Sequence, residues 1–287
     1  MNNSWIWVDN YRKIDRANND IKSSDIVCID TEYDSFRYFR EKLCLIQIKT
    51  ENMTYLLDPL NTLDLSFLGS TFSDPDIVKI VHAGDNDIRI LRRDYGFEFK
   101  NIFDTQKAAS LLGCRYLSLE SVIFQHLGIE LNKSKKMQRS RWENRPLTEE
   151  QISYAVQDTQ YLADLYVRLK GEIKQNGWGG TASRAFEEIA SVRWREKILD
   201  PHGYLKIKGA KELNKRPKRR LNVLFRWRFQ KAKETNTARL MILSDQTLVD
   251  LSKSEIHSIE SLEKVCKLPP KKVKLFGQEI IEILNNS

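Results

Sequence analysis

The stretch Ile26-Val27-Cys28-Ile29-Asp30-Thr31-Glu32 constrains this chain most tightly. Four apolar residues, three of them β-branched, predict a strand buried on both faces. Side chains alternate along a strand, so Asp30 and Glu32 share one face. Two like charges on a core strand repel each other. A divalent cation relieves that repulsion, and oxygen donors of this kind suit Mg²⁺ or Mn²⁺. Taken alone, such a pair reads as readily as a solvated acidic turn, so its meaning depends on what lies downstream.

Two further apolar runs, Leu43–Ile48 and Met53–Leu57, follow at short intervals, the second stopped by Asp58-Pro59. Three strands with short joints predict a meander. Beyond it, Leu63–Phe72 is weakly helical and Ile77–His82 reads as a strand. Ile88, Ile90, Leu91 and Tyr95 then recur at helical spacing, Ile102–Asp104 is a short strand, and Thr105–Leu112 and Leu119–Leu127 are helical. A meander giving way to alternating strands and helices predicts an α/β layered domain with a mixed sheet. Residues 129–146 are polar and basic (Lys133, Lys135, Lys136, Arg139, Arg141, Arg145) and read as a loop. Thr148 and Gln151 form a capping box, with Glu149 and Glu150 in the first turn, for a helix running to Lys174. Gly177, Gly179 and Gly180 break it, and a second helix spans Ala182–Leu199 before Pro201. A basic run from Lys206 to Arg220 leads to three or four helical stretches between Leu221 and Leu284, a small bundle. The expected domains are 1–180, a helical and basic linker at 181–208, and 209–287.

The net charge of +8 is uneven: residues 1–190 hold 25 Lys+Arg against 28 Asp+Glu, and residues 191–287 hold 22 against 11. A strongly basic back end points to a polyanionic partner, nucleic acid first. The four cysteines are dispersed with no C-x-x-C, which argues against a zinc site or a disulfide framework and favours a reducing cytoplasm. No stretch is long enough to cross a bilayer, and the N-terminus lacks a basic segment followed by an apolar one, so neither membrane nor signal peptide is expected.

More acids bear on the Asp30/Glu32 pair. Asp87 lies in the first turn after the 77–82 strand, where α/β sheets place functional groups, with Asp85 as helix N-cap. Tyr154 and Asp158 are four apart on the capped helix, so they share a face, and that face is otherwise apolar (Ala155, Leu162, Leu165). A carboxylate there needs a metal or an arginine such as Arg141 or Arg145. Four carboxylates converging through the fold could hold two divalent ions for phosphodiester cleavage, with Tyr154 orienting the attacking water or helping take its proton. Gln47 is a polar residue in a core strand that could bond a terminal nucleotide or be a satisfied core amide. His82 ends a strand beside the site, where it could anchor a loop or ligate a metal, oxygen ligands suiting these ions better; Asp104 could support the site from behind the ligands or cap the helix from Thr105 onward. Loop bases from Lys133 to Arg145 could bind phosphate, and Trp142 could stack on a base or anchor the loop.

These motifs resemble ribonuclease D and its relatives. Asp30-Thr31-Glu32, His82-Ala83-Gly84-Asp85-Asn86-Asp87 and Tyr154-Ala155-Val156-Gln157-Asp158 match the family's three motifs, with Asp87 as the ligand of the second. Phe103-Asp104-Thr105-Gln106 and Ser140–Leu147 match lesser signatures, and Ser153, where another branch has His, places the chain in the tyrosine branch. Arg141 departs from the family, which usually has an Asp there. Leu224-Phe225-Arg226-Trp227-Arg228, Ala232, Leu248 and Lys274-Leu275-Phe276-Gly277 resemble a helical HRDC domain. The resemblance implies a ribonuclease H-like mixed-sheet 3′–5′ exonuclease domain followed by a small all-α HRDC bundle. It implies catalysis by Asp30, Glu32, Asp87, Tyr154 and Asp158, the four acids holding two Mg²⁺ or Mn²⁺. Thr31, Gln47, His82, Lys133, Arg139 and Trp142 are the substrate-binding candidates. The expected substrate is single-stranded RNA 3′ ends, tRNA precursors among them. A DNA-directed exonuclease of the same chemistry and a non-catalytic nucleic-acid binder are the rival readings.

Overall fold

The computed structural model describes residues 5–131, 136–266 and 268–287, excepting the side chains of 264–266. The chain divides into two compact units: residues up to Asp34 together with Lys42–Arg195, and Ser35–Glu41 together with Glu196–Ser287.

In the first unit the strands are β1 (Trp5–Val8), β2 (Ile26–Asp34), β3 (Lys42–Lys49), β4 (Thr54–Leu57), β5 (Val78–Val81) and β6 (Ile102–Asp104). They form one sheet in the order β1-β4-β3-β2-β5-β6. β2, β3 and β4 are the antiparallel meander. β1 joins β4, β5 joins β2 and β6 joins β5 in parallel, so the sheet is mixed as the pattern predicts. Its helices are α1 (Tyr11–Lys22), α2 (Leu68–Ser73), α3 (Asp85–Tyr95), α4 (Thr105–Leu111), α5 (Leu119–Leu127), α6 (Glu149–Gln160), α7 (Leu162–Gln175) and α8 (Gly179–Ser191). On one face Ile29, Ile46 and Ile48 pack with Ile14, Ala17 and Ile21 of α1 and Ile88, Ile90 and Leu91 of α3. On the other, Cys28 and Ile80 meet α4, α5 and α7. Cys44, Leu45 and Leu56 there meet Trp142, Tyr154 and Ala155. β2 is thus sandwiched, which is what its unbroken apolar run requires.

The expected helix from 148 to 174 is two helices, α6 and α7, parted at Tyr161. The expected linker at 181–208 is also divided. α8 starts at Gly179, and its Ala182 and Ile189 are buried in the cores of the first unit, whereas Glu196 onward belongs to the second.

The second unit holds α9 (Lys215–Glu234), α10 (Arg239–Ile242), α11 (Asp245–Lys253), α12 (Ile259–Cys266) and α13 (Pro270–Asn285). Leu221, Leu224, Phe225, Leu248, Ile280 and Leu284 build its core. Ser35–Glu41, which links β2 to β3 along the chain, folds as part of this unit. Phe39, 2% exposed, meets Phe229 edge-on at 5.2 Å. Asn236 receives the backbone N–H of Phe39 on its carbonyl (3.3 Å) and that of Arg40 on its Oδ1 (2.8 Å). The basic run does not form a uniform outer surface: Arg220 is buried against Glu255 and the carbonyls of Ser254 and Leu284.

Candidate active site

Asp30 and Glu32 project from the centre of the sheet on the face covered by α6. Register with β3 shifts just after Glu32, so the ladder becomes irregular where the acids emerge. α6 begins at the predicted capping box: Thr148 Oγ1 accepts from Gln151 N (3.2 Å) and Gln151 Oε1 accepts from Thr148 N (3.0 Å). That start fixes the helix phase, and three turns on, Asp158 faces β2. One carboxylate oxygen from each of Asp30, Glu32 and Asp158 lies within 4.8 Å of the other two. Glu32 is buried and the other two half-buried. Three hard oxygen donors at this spacing fit an Mg²⁺- or Mn²⁺-type cation and not a zinc or copper ligand set. The arginine alternative for Asp158 does not hold for Arg145, whose guanidinium grips both oxygens of Asp58 (2.6 and 2.7 Å).

Asp87 stands outside that group of three. It is buried, and its Oδ1 accepts a hydrogen bond from Thr31, the residue between Asp30 and Glu32. Thr31 thereby orients Asp87, a role the sequence did not assign to it. Burial pushes the Asp87 carboxyl up to about 6; Asp85 and Asp104 nearby push the same way, against the lowering effect of the Thr31 bond. The turn delivering Asp87 is tight: Ala83 has φ 55°, and a Cβ on Gly84 would lie 2.7 Å from Val81 Cβ. Asp104 clamps this turn. Fully buried, it accepts from Gly84 N (2.9 Å) and Ala83 N (3.3 Å) while capping α4 through Lys107 N (2.9 Å). The helix cap read from the sequence is thus also a brace for the Asp87 turn. The cap of α3 itself is Gly84, and Asp85 is the first helical residue, not the N-cap expected for it.

Tyr154 is buried beside the acids. Its phenol is pushed well above the ordinary tyrosine range, by burial first and then by the charges of Asp158, Glu32 and Asp30, while a hydrogen bond with the Gln138 side chain opposes this. Such a phenol holds its proton and acts as a donor. Gln138 and Arg139 lie in a short 3₁₀ turn, Met137–Arg139, and Arg139 is exposed there. Gln138 carries no motif signal in the sequence; only its place four residues before Trp142 in a basic loop could have drawn attention.

Three other candidates take different roles. Trp142 is 1% exposed; its indole donates to Met137 O (3.1 Å) and its ring lies 6.0 Å from that of Tyr154. It anchors the loop and cannot stack on a base. His82 spends both ring nitrogens on protein: Nε2 pairs with Leu117 O (3.0 Å) and Nδ1 with Thr105 Oγ1 (2.9 Å), so it ties β5 to α4 and the loop beyond. Gln47 is 0% exposed and cannot touch a nucleotide. Lys133 lies outside the described residues.

A mixed sheet whose central strand carries two carboxylates, completed by a third from a facing helix, defines a 3′–5′ exonuclease type of domain. The comparisons agree. A family model described as 3′-5′ exonuclease matches residues 5–174, and one for the HRDC domain matches 218–284. Ribonuclease D of Shewanella sp. (strain ANA-3) is 30% identical over 267 residues, covering 93% of this chain and 68% of that protein. The exosome complex component 10 homolog of Drosophila melanogaster is 27% identical over 271 residues, and the match spans 92% of this chain but 30% of that much longer protein. The crystal structure of the catalytic core of RRP6 from Trypanosoma brucei shares the fold, with a TM-score of 0.90 at 24% identity over 98% of this chain and 79% of that one. This chain belongs to the ribonuclease D family of 3′–5′ exoribonucleases.

Proposed function

We propose that this protein trims single-stranded RNA from its 3′ end by metal-dependent hydrolysis, releasing nucleoside 5′-monophosphates. One observation carries the reading: carboxylate oxygens of Asp30, Glu32 and Asp158, drawn from a strand and a distant helix, lie within 4.8 Å of one another. Those three residues would hold a divalent ion, and Asp87, tied to Thr31 of the same strand, would supply the fourth carboxylate of a site for two Mg²⁺ or Mn²⁺ ions. The chemistry such a pair supplies when bound is acidification of water and neutralisation of charge on the leaving 3′ oxygen. Tyr154, buried beside the three acids, would donate a hydrogen bond that orients the attacking water. Arg139 meets a backbone phosphate of the incoming strand.

The unpaired 3′ trailers of tRNA precursors, the class implied by the resemblance of the three acidic motifs, are the first RNAs to test. No helix among the described residues is long and apolar enough to cross a membrane. The free cysteines Cys28, Cys44 and Cys114 favour action in the reducing cytoplasm. The test is a pair of RNAs of one sequence, one blocked at its 3′ end and one at its 5′ end, incubated with and without Mn²⁺. Mononucleotide release only from the free 3′ end and only with Mn²⁺ supports the reading, and release from the 3′-blocked RNA contradicts it. A DNA strand of the same sequence, degraded faster than the RNA, would move the proposal to DNA.

A further inference from the structure

The amide of Gln47 is fully buried, and neither its Oε1 nor its Nε2 has a hydrogen-bond partner. Buried amides are satisfied as a rule, and one left bare costs folding stability. A core position between Ile46 and Ile48 could be filled by leucine or methionine without that cost.

The location of the amide suggests why it is kept. Gln47 lies directly opposite Asp30 across the β2–β3 ladder, so the two side chains leave the same face of the sheet as neighbours, with Cβ atoms about 4.5–5.5 Å apart. On its other side Gln47 pairs with Leu56 of β4. Leu56 and Leu45 belong to the apolar cluster that Tyr154 and Ala155 of α6 close from above. The bare amide thus sits between an apolar wall and the first of the three clustered carboxylates.

We infer that Gln47 is a positioning residue for cation binding, its amide left unsatisfied until the acids take up their ions. This rests on the metal-dependent reading above. Nε2 is then the donor across the ladder that fixes the Asp30 carboxylate in its ligating orientation. Groups that bond metal ligands from behind in this way typically change metal affinity about ten- to hundredfold when removed. Gln47 acts through Asp30 and does not touch RNA.

Replacing Gln47 should have two effects of opposite sign, which loss of a merely structural amide would not. In the full-length chain, Gln47→Leu and Gln47→Met should unfold at the same or a higher temperature than wild type in EDTA. Both should bind Mn²⁺, titrated calorimetrically without RNA, about tenfold or more weakly. Wild-type Mn²⁺ affinity in both variants overturns the inference and leaves the exonuclease reading standing. Clearly lower melting temperatures of both variants in EDTA also overturn it, because the amide would then be supporting the metal-free fold. Absence of Mn²⁺ binding by the wild-type chain overturns the exonuclease reading and this inference with it.

Discussion

Asp87 shows how a buried acid burdens the fold that carries it. Its folded pKa of about 6 lies above the ordinary 3.8, so the folded protein holds this proton more tightly than the unfolded chain does. The contribution of Asp87 is therefore most favourable below about pH 4 and declines as pH rises to 6, where a buried charge must form. In metal-free protein the decline amounts to about 1–3 kcal/mol. Asp87→Asn keeps an acceptor for Thr31 and removes the charge. Its melting temperature in EDTA should exceed that of wild type at pH 7 and converge with it near pH 4, while its exonuclease activity falls. Parallel melting curves across pH 4–7 would show that Asp87 is not the group responsible. Tyr154 makes a different prediction. A protonated donor that orients water is worth less than the roughly 10²–10⁴-fold of a general base, so Tyr154→Phe should slow single-turnover hydrolysis by about 10- to 100-fold with its unfolding midpoint nearly unchanged. An unchanged rate removes the role assigned to it.

At the scale of elements, the site is made by a strand, a turn and a helix start, and these differ in how openly the sequence declares them. β2 and the capping box of α6 are plain from residue type and spacing, because a core strand needs an apolar run and a helix N-terminus needs acceptors for its free N–H groups. The β5–α3 turn is less open. Its geometry depends on Asp104, seventeen residues beyond Asp87, and no local pattern links a helix cap to a distant backbone. β1 carries little signal, having four residues, whereas Ile14, Ala17 and Ile21 give α1 a legible helical stripe at i, i+3 and i+7. Whether Gln47 or Trp142 faces solvent or core is likewise decided by what packs over the strand, which periodicity does not reveal. Gly84 tests the turn. Gly84→Ala forces its Cβ against Val81, so it should cost about 1–3 kcal/mol in urea unfolding and lower activity more than an equally destabilising core change remote from the turn. Wild-type activity in Gly84→Ala would mean that Asp87 tolerates a shift in its turn.

For the whole molecule, the acidic-leaning front and basic back follow the division into a sheet unit and a helical unit, and that asymmetry was legible from charge alone. The boundary was not. A seven-residue segment between two core strands, Ser35–Glu41, belongs to the helical unit, and Phe39 looks like any loop aromatic until its partner Phe229 is known. Removing residues after Arg195 would strip that segment of its core, so truncation is a poor test of RNA binding by the helical unit. Charge reversal is cleaner. Lys215, Arg216 and Arg219 are exposed at the start of α9. Reversing Lys215 and Arg219 to Glu should weaken binding to long single-stranded RNA and flatten its dependence on salt, leaving cleavage of a very short RNA intact. An unchanged salt slope would remove α9 from the RNA footprint.

The nest formed by Asp30, Glu32 and Asp158 bears the weight of the functional reading, and the rate of 5′-mononucleotide release from a single-stranded RNA in Mn²⁺ tests it most directly. Asp30→Ala and Asp158→Asn should each fold as the wild type does and slow that rate by about 10³-fold or more, which is about 4 kcal/mol of barrier. Either variant, cooperatively folded and releasing mononucleotides at the wild-type rate, would contradict the account.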